Sequence, residues 1–351
     1  MELSDTISFD DYGFILCTDT QNLRILQLTD TQIIDSSQMR TPNRLNPIEI
    51  AEWAPKNTDQ ICYNVIRESI EKTKPHLIIF TGDLIYGEFD DNGTNFRSIV
   101  SFLDSFKIPW APVFGNHDNE TVLGVGWQCE QLEKAKYCLF KRGNTVGNGN
   151  YTVTFKHDSK PFRRLFMLDS NCMAGISEQQ VNWMENALKD FSLKDGESVP
   201  FFTCFHVPCF NFSDAAVRAG YQPTFDTAEK IYYYNIGVDT LSKNMDFGSK
   251  LDVLGGKFHI GKQDEHFTYV CKKYGCDGMF AGHCHNINTS IFHNGIRYTH
   301  GLKSSFYDYF AEDCVGSTLI TLTGFRHGEF KVEHIYTNYK YGQSLRYKKF
   351  K

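Results

Sequence analysis

Apolar and polar residues along this chain follow two rhythms. Short, mostly apolar runs mark strands at Gly13–Cys17, Leu23–Thr29, Trp110–Phe114, Arg164–Leu168, Val199–Phe205 and Gly278–Ala281. Leu77–Thr81 is apolar almost throughout, the mark of a strand covered on both faces. Other stretches carry apolar residues at helical spacing. Asp59–Thr73 has Ile61, Val65, Ile66 and Ile70 on one face and is closed by Pro75, while Asn95–Phe106 repeats the pattern with Phe96, Ile99, Val100 and Leu103. Ser177 with Gln180 three residues on forms a candidate capping box opening a further helix, and Asp264–Lys273 predicts another.

The strand–helix–strand–helix–strand order of the first half implies a mostly parallel sheet with right-handed crossovers. Later the rhythm changes. Asn288–His293 and Ile296–Thr299 flank Asn294-Gly295, a strong hairpin signal, and Gly316–Thr323 with Phe330–Tyr336 reads as a final antiparallel pair. These features predict an α/β chain with two packed, mostly mixed β-sheets and helices outside. Cys209–Lys257 breaks the pattern: it is long and polar, with the cluster Tyr232-Tyr233-Tyr234. It reads as an insertion loop, and long loops in compact domains are usually functional or mobile.

Composition narrows the class. With 351 residues, 41% hydrophobic and 22% charged, the chain can bury a large core, which excludes disorder. It is expected to form a single domain over 1–351, with its core at about 23–336 and the insertion at about 209–257. A net charge of −6 argues against a broad nucleic-acid surface, so no nucleic-acid partner is expected. No apolar run spans a bilayer and Met1–Asp11 has no apolar signal core, so no membrane partner and a cytoplasmic location are expected. The 11 cysteines are odd in number and form no CxxC pair, which points to reduced, buried thiols; Cys204, Cys209 and Cys284 sit beside candidate ligands.

Five short motifs follow predicted strands in order: Asp30-Thr31-Gln32, Gly82-Asp83, Gly115-Asn116-His117-Asp118, His206, and Gly282-His283-Cys284-His285. In open α/β sheets, ligand residues gather at the carboxyl ends of strands, so distant segments can converge. Asp, Asn and His supply oxygen and imidazole donors suited to first-row metals, and a carboxylate can bridge two ions. Alone, each piece has an ordinary structural explanation, such as a turn aspartate or a core histidine. Five in sequence, all at strand ends, are hard to assign to chance.

This series resembles the calcineurin-like metallophosphoesterase family, whose pattern is D-x-H, GD, GNH(D/E), H, GH-x-H. The resemblance runs from about Leu23 to Tyr336 and implies a four-layer α/β/β/α sandwich with two metal ions. It implies that Asp83 bridges the metals, that Asn116, His206 and His283 complete one, and that Asp30 and His285 bind the other. It further implies that His117 acts at the transferring phosphoryl group or leaving oxygen, with Asp118 orienting its ring. The chain departs from the pattern once, where Gln32 replaces the first histidine. Three readings stand: Gln32 ligates through its amide oxygen, the first metal binds loosely, or another residue substitutes. Gly82-Asp83-Leu84-Ile85-Tyr86 is similar to the GD-x-x-Y motif of purple acid phosphatases, which would make Tyr86 a phenolate ligand of Fe(III), paired with Fe, Zn or Mn.

The expected reaction is in-line hydrolysis of a phosphate ester by a metal-bound hydroxide, first of monoesters on small molecules or phosphoproteins. Diester hydrolysis and a non-catalytic metal-binding scaffold are the alternatives. Lys303, Arg218 and the tyrosine cluster are candidate substrate contacts, and His259 and His266 flank the insertion.

Overall fold

The computed structural model describes residues 7–20, 22–34, 58–219, 222–226, 231–235, 256–257, 265–285, 287–308, 310 and 314–339. The first part runs β1 (Ile7–Phe9), β2 (Gly13–Cys17), β3 (Arg24–Leu28), α1 (Thr58–Thr73), β4 (Leu77–Thr81), α2 (Thr94–Ser105), β5 (Trp110–Val113) and α3 (Val125–Lys134). The middle adds β6 (Tyr151–His157), β7 (Lys160–Met167), α4 (Glu178–Asp195), β8 (Phe201–Cys204), α5 (Phe210–Arg218), β9 (Gln222–Asp226), β10 (Ile231–Asn235) and β11 (Gly256–Lys257). The chain then forms α6 (Glu265–Tyr274), β12 (Cys276–Ala281), β13 (Ser290–His293), β14 (Ile296–His300), β15 (Gly316–Leu322) and β16 (Phe330–Tyr336).

These strands build an eight-stranded sheet in the order β1-β2-β6-β7-β8-β12-β14-β13 and a five-stranded sheet in the order β16-β15-β3-β4-β5. Both are mixed. β3, β4 and β5 are mutually parallel with β15 antiparallel beside β3, and β7, β8, β12 and β14 run parallel. The β-branched and aromatic runs explain the central strands: β4 and β8 are buried at every position. One apolar cluster joins the sheets face to face, with Leu26, Ile78 and Ile320 from one and Phe14, Leu165 and Phe202 from the other. Helix α1 covers the five-stranded sheet, while α4, α5 and α6 lie on the eight-stranded one. The result is the expected helix–sheet–sheet–helix layering.

The Ser177 capping box forms as read, Ser177 Oγ accepting from Gln180 N and the Gln180 side chain accepting from Ser177 N. The Asn294-Gly295 turn also forms, both residues having positive φ and joining β13 to β14. The insertion differs from a structureless loop. It contains α5 and a small three-stranded antiparallel sheet, β11-β10-β9, in which Tyr232–Tyr234 form backbone pairs. Residues 236–255 and His259 lie outside the described residues.

Candidate metal centre

The carboxyl ends of five parallel strands meet at one place. Asp30 follows β3, Asp83 follows β4, Asn116 and His117 follow β5, His206 follows β8, and His283 and His285 follow β12. Two groups of donors form there: Asp83, His206 and His283, and Asp30, Asp83 and His285, each with its ligand atoms within 4.8 Å of one another. Asp83 belongs to both.

Hydrogen bonds show what these atoms need. His206 Nδ1 donates to the Thr81 carbonyl at 2.7 Å, which leaves the lone pair on Nε2. That Nε2 lies 3.1 Å from Asn116 Oδ1, 3.4 Å from Asp83 Oδ2 and 3.3 Å from His283 Nδ1. An imidazole nitrogen, an amide oxygen and a carboxylate therefore converge on one point, an arrangement satisfied by a proton on Nε2 or by a metal ion. Asp30 Oδ2 accepts from Thr29 Oγ1 and His283 N, whereas its Oδ1 is buried with no hydrogen bond although His285 Nε2 is 3.2 Å away. A buried carboxylate oxygen left this way is costly unless a cation sits against it. The donor set, oxygen and imidazole nitrogen, fits a pair of first-row metal ions.

The backbone is strained to present these groups. Asp30, Gln32, Asp83 and His283 all have positive φ, between 45° and 69°, a left-handed conformation rare for side-chain-bearing residues and typical of functional sites. Two glycines serve a different purpose. A Cβ on Gly115 would lie 2.1 Å from Asp83 Oδ1, and one on Gly282 would lie 2.0 Å from Thr29 Oγ1 and 2.8 Å from Asp30 Oδ2. Neither has positive φ, so glycine is needed there for close approach rather than for turn geometry.

Electrostatics show a site that draws positive charge. Burial depresses the His206 imidazole, but Asp83 and Asp30 outweigh it and push it up to about 9. Burial raises the Asp83 carboxyl, yet His206, His117 and His283 hold it below the usual carboxylate range. Burial and Lys303 hold His285 below its ordinary value against Asp30 and Asp308, favouring the neutral imidazole that binds metals.

The predicted pairing of Asp118 with His117 is corrected by the structure. The Asp118 carboxylate accepts from the backbone N–H groups of Asp83, Ile85 and Gly115 at 2.8, 3.1 and 2.8 Å, tying the two motif loops together. His117 Nδ1 instead donates to Glu120 Oε2 at 2.8 Å. The cause is the 3₁₀ turn Asp118–Glu120 that follows His117: with three residues per turn, side chains at i and i+3 eclipse. The His117 backbone N–H also donates to Asp83 Oδ1 at 2.8 Å, and burial of its ring is outweighed by Asp83 and Glu120, which raise its pKa.

Gln32 sits in the cluster but turns its oxygen away from the Asp83 carboxylate. Its Nε2 faces Asp83 Oδ2 at 3.3 Å, and its Oε1 accepts from Lys303 Nζ at 2.5 Å. Lys303, a candidate substrate contact, is therefore buried within the centre, its Nζ also donating to the Asp30 carbonyl. Tyr86 is buried and its ring stacks on His117, centroids 4.0 Å apart, within a small cluster containing Ile34, Phe89 and Tyr307. Asp308, on the segment after Lys303, reaches to 3.8 Å from His285 Nδ1. Glu120 and Asp308 are the residues the sequence reading missed; for Glu120 the i+3 spacing from His117 was the available signal. Neither metal-binding group contains a cysteine among the described residues, and burial pushes the Cys204 thiol up, away from thiolate. Arg218 is exposed beside Asp214, and His266 pairs with Glu178, so the described structure brings neither into the cluster.

Residues 23–286 match the model of the calcineurin-like phosphoesterase family. The chain belongs to the calcineurin-like phosphoesterase family. The chain is 28% identical over 218 residues to Phosphatase DCR2 of Saccharomyces cerevisiae, a match covering 54% of the chain and 35% of that protein. It is 32% identical over 218 residues to Probable inactive purple acid phosphatase 29 of Arabidopsis thaliana, covering 54% of the chain and 55% of that protein. Its match spans a third to just over half the length of these relatives. A dimetal phosphatase structure from Danio rerio aligns over 89% of this chain and 98% of that one, with 12% identity and a TM-score of 0.45. Among the described residues no helix is long and apolar enough to cross a membrane.

Proposed function

We propose that this chain hydrolyses phosphate esters at a two-metal centre, acting first on monoesters of small molecules or phosphoproteins. The observation that carries the reading is the pair of donor groups sharing Asp83, with acceptor atoms facing one another. In it, Asp83, Asn116, His206 and His283 would hold one ion, and Asp30, Asp83 and His285 the other. A bound metal pair supplies Lewis acidity toward phosphoryl oxygens and a water acidic enough to attack phosphorus near neutral pH.

The chain's own groups do the rest. His117, with Nδ1 committed to Glu120, has Nε2 left to donate a proton to a phosphoryl or leaving-group oxygen, as general acids do. Asp118 holds the loops that carry Asp83 and Asn116 in register. Iron paired with iron, zinc or manganese suits these donors. Tyr86, buried and stacked on His117, is the alternative donor to the ion at Asp30, Asp83 and His285; a phenol titrating at about 10 needs a strongly acidic metal to ionise at neutral pH, so a visible charge-transfer band would report it and count against a weakly held ion there.

Turnover of an aryl phosphate against a bis-aryl phosphate tests the reaction class. Faster monoester hydrolysis is expected, and faster diester hydrolysis would reassign the substrate class. No hydrolysis of either ester by protein with both ions bound would replace the enzyme with a metal-binding scaffold.

A further inference from the structure

The Gln32–Lys303 pair occupies the place where the family pattern has a histidine donor. Lysine carries only donors, so the Gln32 atom against Lys303 Nζ must be the amide oxygen. An ionised carboxylate only accepts, so the atom facing Asp83 Oδ2 must be the amide nitrogen. Both neighbours thus demand the same orientation. Flipping the amide would set N–H against ammonium and oxygen against carboxylate, two repulsive contacts in a buried site.

Two consequences follow for the position formed by Asp30, Asp83 and His285. It gains no donor from Gln32, because the amide nitrogen has no lone pair to give. It also lies beside the buried Lys303, whose Nζ donates to the Asp30 carbonyl at 3.0 Å and which is itself 1% exposed. The other position, formed by Asp83, Asn116, His206 and His283, keeps its full set.

We propose that Lys303 is a positioning residue that makes the centre asymmetric: by holding the Gln32 oxygen away from Asp83, it leaves one ion tightly held and the other weakly held. This rests on the metal-dependent reading above. The lysine sets metal occupancy through Gln32.

The decisive variant is Gln32→Glu. It is isosteric, keeps an acceptor for Lys303 and replaces the N–H face with an oxygen donor. Protein stripped with a chelator is titrated with Mn²⁺ by calorimetry, and bound metal is counted by elemental analysis after gel filtration. The wild type is expected to retain one ion through filtration and to bind the second at least tenfold more weakly. Gln32→Glu, and Gln32→His combined with Lys303→Met, should retain two, while Lys303→Arg, which keeps the charge, should behave as wild type. Circular dichroism melts identify any variant that fails to fold, and Gln32→Glu answers the question without removing the lysine.

Equal affinity for both ions in the wild type overturns the proposal, as does a folded Gln32→Glu protein that still retains one. If the wild type binds no ion, the metal reading falls and this inference with it. Two unequal ions with no ester hydrolysis would sink the enzymatic reading alone and leave the asymmetry standing.

Discussion

His117 and its neighbours show how one hydrogen bond separates chemistry from scaffolding. The Glu120 carboxylate accepts from the His117 ring, whereas Asp118 satisfies three buried backbone donors. The two carboxylates should therefore fail differently. Glu120→Gln keeps the fold and the metals and lowers turnover by about tenfold or more, the usual effect of freeing an oriented imidazole. Asp118→Ala leaves buried N–H groups unpaired at about 1–3 kcal/mol each, so unfolding by urea should show a loss of at least about 3 kcal/mol. Reversed effects, an unstable Glu120→Gln and a stable but inactive Asp118→Ala, would return the orienting role to Asp118. The candidate donors could be picked out of the sequence because strand-end motifs with Asp, Asn and His are unusual together. The partner of His117 was hidden because Asp118 stands next to it in sequence, and only the 3₁₀ geometry carries the contact to Glu120.

Among elements, legibility followed the local signals. The parallel strands β3, β4 and β5 were readable because burial on both faces makes them near-continuous apolar runs. The β6–β7 hairpin was only half seen, its second strand being read as Arg164–Leu168. Its turn is Asp158-Ser159, with φ of 47° and 67°, a conformation that usually announces itself with Asn-Gly. Helix α3 was missed because Gly124 and Gly126 open it and read as a break. The hairpin yields a test. A side-chain-bearing residue at positive φ costs about 1–2 kcal/mol, and glycine's extra unfolded-state entropy returns about 0.5–1 kcal/mol of that. Ser159→Gly should accordingly stabilise the protein by about 0.5–1 kcal/mol in its urea midpoint; destabilisation would mean the serine side chain contributes contacts that outweigh the strain.

Across the whole molecule, the two sheets are pinned at the end away from the metal centre by a buried ion pair. Arg163 on β7 donates through Nη1 to Asp277 Oδ2 on β12 at 2.5 Å and through Nη2 to the Arg326 carbonyl, with its guanidinium over Phe202. Asp277 also accepts from His327 Nδ1 and Gly328 N in the turn between β15 and β16. Both sheets thus share one charged strut. Arg163→Met strands a buried carboxylate and should lower stability by about 3–5 kcal/mol, with much of it recovered by adding Asp277→Leu; a single variant within about 1 kcal/mol of wild type would make the strut incidental. At the opposite end the same sheets bring Asp30, Asp83, Asn116, His206, His283 and His285 together, so the centre depends on their relative placement.

The most direct test of that centre is Mn²⁺ titration of chelator-stripped protein, wild type and Asp83→Asn, reading bound ions by calorimetry and aryl phosphate hydrolysis in the same samples. With Mn²⁺ in excess, the wild type should take up two ions per chain and gain activity with them, while folded Asp83→Asn should lose the shared ligand and both properties. Hydrolysis that survives the chelator unchanged, or an Asp83→Asn protein that still binds two ions and turns over, would contradict a metal pair bridged by Asp83.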